Sequence, residues 1–273
     1  DLLIFLVSGG GSSLLPYPPK GFSLKDEINL NKKLINSGMS IKEINLIRKF
    51  FSMIKGGRLA KIAYPSRVKT YVVSDIPDDD ITQVSSGPTL PSSGSPIDAI
   101  NCLKKYDINL PKKVIDYIQN QDNEPPGIQD LIFKKNSSYL LASAKKSMHY
   151  IYDMSKLMNL KIIIISDQSQ GEAKVVAKEH ANFIKSFLNN NPIKNSNKKI
   201  GFFSGGETSV TIKNSKGKGG RNSEYLLSLA IQFEFLNIHS FVAIAADTDG
   251  IDGTEDNAGA IIDQNKLSKI RNK

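Results

Sequence analysis

Residues 2–13 read LLIFLVSGGGSS, an apolar run of six residues that leads directly into a turn of three glycines. A short apolar run that ends in glycine is typical of a buried strand followed by a tight turn. The arrangement recurs at residues 200–207, IGFFSGGE. We therefore predict two buried strands, each of which ends in a glycine-rich loop.

Further strands and helices are predicted to alternate along the chain. The strand-like runs lie at 71–73, 139–142, 161–165 and 241–246, and helical patterns lie at 24–35, 41–51, 97–105, 111–119, 144–158, 172–188 and 224–235. Strands separated by helices of this length favour right-handed crossovers and a parallel sheet. The polar stretch 189–199, NNNPIKNSNKK, has no periodicity and is predicted to be a linker between two domains.

Composition excludes several classes of protein. The chain has 273 residues, 40% of them hydrophobic, which excludes collagen-like and wholly disordered chains. Its single cysteine, Cys102, excludes an intrachain disulfide and a thiolate zinc cage, and a reducing cytoplasm fits best. The formal net charge is +9, but the lysines are scattered without interleaved aromatic residues, so no nucleic-acid partner is expected. No apolar run is long enough for a membrane helix, and no membrane partner is expected.

Four clusters of glycine or carboxylate residues follow predicted strands: SGGGSS at 8–13, SDIPDDD at 74–80, SGGE at 204–207 and DTDG at 247–250. Because the carboxyl ends of strands line the ligand crevice of open α/β sheets, we expect these clusters to converge around one anionic ligand. Glycine-rich turns bring backbone amides close to such a ligand. The long loop that contains SSGPT at 85–89 is predicted to be an active-site loop. Neither a P-loop nor a GxGxxG fingerprint is present.

Basic residues cluster at two places. The loop 213–221 carries Lys213, Lys216, Lys218 and Arg221 with no acidic residue among them. Arg221, just before a helix, can clamp a phosphoryl group through two hydrogen bonds, whereas Lys216 is expected to be solvated. Lys55 and Arg58 in KGGRLA admit a similar role or that of surface charges at a helix end.

Acidic residues crowd the segment 247–256, with Asp247, Asp249, Asp252, Glu255 and Asp256. Their spacing does not match an EF-hand, and a magnesium ion held by one or two carboxylates plus substrate phosphates fits better. Asp252 and Asp256 are expected to cap helices or stabilise turns. The three histidines, His149, His180 and His239, show no metal-ligand spacing, and Cys102 is expected to be a core residue.

Taken in order, SGGGSSLL, KGGRLA, SDIPDDD with SSGPT, SGGET, GGRNSEYLLSLA and DTDGIDGTEDNAGA resemble the class II glycerate 2-kinases, whose C-terminal part is the MOFRL domain. The resemblance extends over residues 8–260. It implies ATP-dependent transfer of a phosphoryl group to the 2-hydroxyl of D-glycerate, giving 2-phosphoglycerate, with Mg²⁺. It also implies an α/β fold of two domains with a cleft between them. The first is a Rossmann-like domain at 1–188 and the second a smaller mixed α/β MOFRL domain at 200–273.

Within this resemblance the catalytic candidates are Arg221, Asp75, Asp247 and Lys55. Arg221, with Lys55 or Arg58, would stabilise the transferring phosphoryl group. Asp75 or Asp247 would orient or deprotonate the glycerate hydroxyl, and Asp247 and Asp249 are the candidate magnesium ligands. The candidate binding residues are Ser8, Gly9, Gly10, Gly11, Ser12, Gly56, Gly57, Arg58, Ser204, Gly205, Gly206, Glu207, Gly220, Asn222, Asp249 and Gly250.

The ends of the chain and the alternatives to a kinase also bear on function. The chain starts at Asp1, directly against the first predicted strand, and we expect it to begin inside a larger protein. Family members carry a segment with a functional lysine before the SGGG strand and further sequence after DNAGA.

The alternatives are an NAD(P)H-dependent hydroxypyruvate reductase, which should show a dinucleotide fingerprint, and an inactive ligand-binding fragment. The oligomeric state stays open, with a homo-oligomer as one option.

Overall fold

The computed structural model describes residues 1–158, 160–192, 199–212, 217–254 and 256–271. The chain divides into two compact units, Asp1–Ser143 and Ala144–Lys273. Each unit combines parallel strands with helices, as the α/β prediction requires. None of the described helices is long and apolar enough to cross a membrane.

The first unit is built on a parallel sheet of three strands, β1 (Leu2–Val7), β2 (Arg67–Val73) and β3 (Ser137–Ala142), in the order β1-β2-β3. Six helices surround or connect these strands: α1 (Gly11–Leu14), α2 (Leu24–Ile35), α3 (Ile41–Phe50), α4 (Arg58–Ala63), α5 (Pro96–Lys105) and α6 (Lys112–Gln119). Short 3-10 turns lie at Pro77–Asp79, Val84–Ser86, Gln121–Asn123 and Leu131–Phe133. Because β1 and β2 run parallel, the loops that follow them leave from the same edge of the sheet.

Helix starts in this unit follow from local sequence signals. Ser23 with Asp26, and Ser40 with Glu43, form the predicted capping boxes of α2 and α3. The apolar faces of α2, α3, α5 and α6 pack into one core, whose fully buried members include Leu34, Ile47, Phe50 and Ile118. Cys102 lies in this core, as predicted.

The described residues of the second unit form two separate pairs of strands. Strands β4 (Lys161–Glu172) and β5 (Ile200–Ser209) are parallel, and β6 (Val242–Ala246) and β7 (Gly259–Asp263) are antiparallel. The helices are α7 (Ala144–Leu157), α8 (Ala173–Asn190), α9 (Arg221–Phe235) and α10 (Gln264–Arg271). Helices α8 and α9 pack against each other through residues such as Ala177, Ala181 and Leu229.

The boundary between the two units lies after Ser143 and not at the linker predicted for 189–199. The physical reason is pairing: β4 and β5, which flank that segment, form one parallel ladder and therefore belong to one unit. Residues 193–198 of the predicted linker lie outside the described residues.

The SGGE segment also differs from its prediction. Residues 204–207 do not form a turn after a strand but lie inside β5, where Ser204 pairs with Ser166 and Gly206 with Ser169. Gly206 has a φ of 130°, and a Cβ there would lie 2.3 Å from backbone atoms of Ser169. The glycine therefore allows two backbones to approach within a continuous ladder.

Candidate functional site

The carboxyl ends of β1 and β2 bring the SGGGSS loop against the SDIPDDD loop, as predicted. The contact is close, because a Cβ on Gly9 would lie only 1.6 Å from Oδ2 of Asp75. Glycine is thus required at position 9 for the Asp75 carboxylate to occupy this place. Among the described residues, no hydrogen bond or ion pair engages that carboxylate, which is exposed.

The SSGPT loop forms a second wall beside the same glycines. The Ser85 hydroxyl donates to the Ser8 carbonyl at 2.6 Å, and the hydroxyls of Ser12 and Ser86 lie 2.9 Å apart. A Cβ on Gly11 would lie 2.2 Å from Ser85 Oγ. We call residues 8–12, 74–75 and 85–87 the glycine cradle.

Two stretches of this loop region have strained backbone. Ser85 and Ser86 take φ values of 53° and 60°, and Asp78 and Asp79 take 65° and 53°. Such left-handed conformations in residues other than glycine are costly and persist where surrounding contacts enforce them. Asn45 supplies part of that support, since its amide donates to the Gln83 carbonyl at 3.2 Å and its carbonyl accepts from the Ser86 hydroxyl at 3.1 Å.

A part-buried hydrogen bond supports the other strained stretch. The Ser143 hydroxyl, at the end of β3, donates to Oδ2 of Asp79 at 2.8 Å. Strand β3 is the third strand of the parallel sheet. The residue that follows it thereby contributes a hydrogen bond at the same edge of the sheet as the loops after β1 and β2. Strained backbone is concentrated at active sites and ligand clamps, so its position here favours a binding role for the cradle.

The KGGRLA segment supports the cradle from behind and does not line it. The amides of Gly56 and Gly57 donate to the carbonyls of Ser86 and Gly87 at 2.9 and 2.8 Å. These amides are therefore engaged and cannot hold a phosphate, contrary to the prediction for Gly56 and Gly57.

The two cations of this segment are also committed to the protein. Lys55 is 1% exposed, and its ammonium lies 2.9 Å from Oε1 of Glu27. The Arg58 guanidinium donates to the carbonyls of Lys49 and Asn123, and burial lowers the pKa of Arg58. Because both side chains are buried and paired, this geometry gives them a structural role, and we leave them out of the proposed substrate contacts.

In the second unit, Arg221 meets two carboxylates. Its Nε and Nη2 atoms donate to Oδ2 and Oδ1 of Asp247 at 3.1 and 2.9 Å, and its Nη1 atom donates to Glu207 at 2.8 Å. The hydrogen bond with Asp247 raises the pKa of Arg221 above its ordinary value. We call Glu207, Arg221 and Asp247 the arginine cluster. It brings together residues from β5, the start of α9 and the loop that follows β6.

Asp252 fixes the start of α9. This carboxylate has no exposed surface and accepts from the amides of Asn222 and Ser223, both at 2.9 Å, and from the Ser223 hydroxyl at 2.6 Å. A Cβ on Gly220 would lie 2.3 Å from Asp252 Oδ1. The capping role predicted for Asp252 is thus present. Gly220 and Asn222 are predicted to bind substrate, but Gly220 packs against Asp252 and the Asn222 amide already donates to it.

The described residues of the acidic loop do not form a preassembled metal site. Within the described part of the chain, no three His, Cys, Asp or Glu side chains gather as metal ligands would. Both oxygens of Asp247 accept from Arg221, whereas Asp249 accepts the Ile251 amide with one oxygen. Asp249, together with substrate phosphates, is therefore a better candidate than Asp247 to hold magnesium. Gly250 takes a φ of 90° in this turn. The predicted Lys213, Lys216 and Glu255 lie outside the described residues.

Several residues of these two sites escaped the sequence analysis. Asn45 and Lys49 lie four residues apart on α3, among the apolar residues that predicted only packing. Polar residues at helical spacing on an otherwise buried face were the signal that could have identified them. For His180 the sequence indicated only the lack of metal-ligand spacing. In the structure its Nδ1 atom lies 2.8 Å from the Tyr225 hydroxyl, and burial raises the pKa of Tyr225 to about 12.

Comparison with known proteins gives two family matches and a set of relatives. A family model described as a domain of unknown function, DUF4147, matches residues 1–119, and the MOFRL family model matches residues 200–273. A protein of Agrobacterium vitis that carries the provisional name hydroxypyruvate reductase is 40% identical over 99% of this chain and 69% of its own length. A D-glycerate 2-kinase of Thermotoga maritima is 35% identical over 99% of this chain and 62% of its own length.

Solved structures agree with these sequence relatives. The crystal structure of a glycerate kinase from Thermotoga maritima covers 100% of this chain with a TM-score of 0.83 and 33% sequence identity, and the match covers 63% of that chain. The chain belongs to the glycerate 2-kinase family. The predicted resemblance is therefore confirmed, and the MOFRL match begins where the predicted linker ends. Several of these family members, including the Thermotoga maritima kinase, are longer: the chain spans about six tenths of their length.

Proposed function

We propose that this chain acts in the ATP-dependent phosphorylation of D-glycerate on its 2-hydroxyl, giving 2-phosphoglycerate and ADP. The observation that carries the proposal is the arginine cluster at the glycine-rich start of α9, in a chain whose relatives are named glycerate kinases. A guanidinium held by two carboxylates is preorganised, and preorganised donors stabilise the charge of a transferring phosphoryl group.

The roles follow from which groups are free. Arg221, 32% exposed on its side chain, would contact the transferring phosphoryl group, with Asp247 and Glu207 orienting it. Asp75 would accept the proton of the glycerate 2-hydroxyl as that oxygen attacks the γ-phosphorus and ADP leaves. We assign the proton to Asp75 and not to Asp247, because both oxygens of Asp247 already accept hydrogen bonds.

The glycine cradle would hold an anionic group of a substrate. The backbone amides of its glycines would supply the donors. The hydroxyl hydrogens of Ser12, Ser85 and Ser86 are already engaged in hydrogen bonds within the protein. Bound together with ATP, Mg²⁺ would neutralise phosphate charge, with Asp249 as the candidate protein ligand. Cytoplasmic location and the oligomeric state stay predictions.

A second candidate function is that of a hydroxypyruvate reductase. It is favoured by the name of the Agrobacterium vitis relatives. The sequence offers no dinucleotide fingerprint for it. The discriminating experiment incubates the 273-residue chain with D-glycerate and Mg-ATP, and separately with hydroxypyruvate and NAD(P)H. ADP formation that depends on D-glycerate supports the kinase, whereas NAD(P)H oxidation supports the reductase. If neither reaction is observed, the result supports an inactive ligand-binding fragment.

A further inference from the structure

Lys49 is a buried cation that the sequence analysis did not single out. It lies on α3, is 2% exposed, and its stem packs beneath Gly56, where an added Cβ would lie 3.1 Å from Lys49 Cβ. A charged ammonium removed from water is costly unless a partner compensates it.

The neighbouring buried cations all have such partners. Arg48 donates to Oδ1 of Asn31 at 2.8 Å, Lys55 pairs with Glu27, and Arg58 donates to two backbone carbonyls. In the described part of the chain, no acceptor lies within hydrogen-bond or ion-pair distance of the Lys49 ammonium. Lys49 is thus the exception among the four.

The surroundings of Lys49 connect it to the glycine cradle. One turn earlier on the same helix, Asn45 binds the Ser86 hydroxyl, which in turn lies 2.9 Å from the Ser12 hydroxyl. Gly56, which covers the Lys49 stem, donates its amide to the Ser86 carbonyl. Lys49 therefore packs behind the strained segment that forms one wall of the cradle.

We propose that Lys49 is a positioning residue of the glycine cradle. The positive charge of Lys49 is compensated when a small anion, the carboxylate or phosphate of a substrate, binds in the cradle. The proposal deepens the proposed function and rests on it only in taking the cradle as the anion site. Without the anion, the charged groups that face Lys49 are Asp80 from the strained loop and Arg58 from α4. The Asp80 carboxylate is held by the amide and hydroxyl of Thr82.

Proton linkage follows from this arrangement. Burial lowers the pKa of Lys49 to about 8, and the attraction of Asp80 offsets only part of that effect. A bound anion favours the charged ammonium and so raises this pKa. Anion binding should therefore be accompanied by proton uptake near pH 8. It should weaken as the pH rises above the pKa that Lys49 has in the anion-free chain.

The test is isothermal titration calorimetry of the full chain with D-glycerate, and separately with sulfate as a phosphate mimic, at about pH 7 and about pH 9.5. Both anions keep a constant charge over this range, so a change in affinity reports on the protein. We expect wild-type affinity to fall roughly tenfold or more between the two pH values. The two ligands distinguish a carboxylate site from a phosphate site.

Three variants make the test specific. Lys49→Met should bind weakly and without pH dependence, whereas Lys49→Arg should keep its affinity at the higher pH. Lys61→Met, an exposed lysine on α4, is the matched control and should behave like wild type. If Lys49→Met does not fold, Lys49→Arg alone decides, because only loss of the pH dependence with retained binding fits the proposal.

The outcomes separate this inference from the proposed function. Binding that responds to pH and to Lys49, in a chain without phosphorylation activity, would support the inference and reject the kinase. Phosphorylation that is unchanged in Lys49→Met, or wild-type binding that is absent or independent of pH, would overturn the inference and leave the kinase standing.

Discussion

The Asp252 carboxylate and the Ser223 side chain join two motifs that are about 30 residues apart in sequence. Asp252 accepts from both the amide and the hydroxyl of Ser223, at 2.9 and 2.6 Å. This bond fixes the first turn of α9 against the loop that follows β6. Arg221, the first residue of α9, is thereby held next to Asp247, the first residue of that loop.

Asp252→Ala should destabilise the chain by about 2 kcal/mol, because it removes a charged cap and leaves the part-buried amides of Asn222 and Ser223 without their acceptor. Urea unfolding measures the loss. Asp256→Ala is the control, since Asp256 is exposed in the same loop and should change stability little. Equal effects of the two substitutions would show that Asp252 is not the cap that the hydrogen bonds indicate.

Arg221→Lys should lower turnover with D-glycerate and ATP by about 100- to 1,000-fold, the range for loss of one preorganised donor. Lysine keeps the charge but cannot donate through a planar fork to Asp247 and Glu207 together. Steady-state kinetics by ADP release, with thermal unfolding as a check on folding, provide the measurement. An unchanged turnover would remove Arg221 from the proposed chemistry.

The first strand and the loop that follows it could be predicted from sequence, because six apolar residues before three glycines have few other structures available. The predicted burial of this strand was wrong, since Leu2, Ile4 and Leu6 are exposed. A capping or turn role for Asp252 was also predictable, but not its partner, because the start of α9 lies about 30 residues earlier in the sequence. Ser204–Glu207 could not be distinguished from a turn, because glycine inside a strand is recognised only when the backbone of the partner strand is known to approach Gly206.

The roles of Lys55 and Lys49 were not predictable for a related reason. Lys49 lies in the last turn of α3 and Lys55 lies in the loop between α3 and α4, and sequence alone expects such side chains at the surface. Burial of Lys55 depends on Glu27, which lies 28 residues away and makes the compensating ion pair. Tertiary pairing of this kind leaves no local pattern in the sequence.

Lys55→Met should cost about 3–5 kcal/mol, because it leaves Glu27 as a buried charge whose Oε2 atom already has no hydrogen-bond partner among the described residues. The double variant Lys55→Met, Glu27→Leu should recover most of that loss, since it removes both charges. Lys105→Met is the control: its ammonium lies 2.8 Å from Glu43, but the lysine is exposed, and its loss of stability should be much smaller than that of Lys55→Met. Denaturant unfolding of the four proteins compares these free energies.

Gly9→Ala should reduce turnover much more than it reduces stability. The added methyl group would occupy the place of the Asp75 carboxylate, which must move away from the cradle. Gly127→Ala is the control, because a Cβ there meets no atom within 4 Å. Kinetics and thermal unfolding of both variants check the prediction, and full activity in Gly9→Ala would argue against Asp75 as the proton acceptor.

His180 should make the stability of the chain fall as the pH decreases below about 6.5. Burial between β4 and α9 lowers the pKa of His180, although Glu179 partly opposes the shift. Above its ordinary pKa the imidazole is neutral in the folded and unfolded chains and contributes no pH dependence. Below it the unfolded chain binds a proton that the folded chain resists, so unfolding becomes more favourable. Urea unfolding at about pH 7.5 and about pH 5.5 measures the change. His180→Gln should lose this part of the pH dependence, whereas His149→Gln, at an exposed site, should retain it.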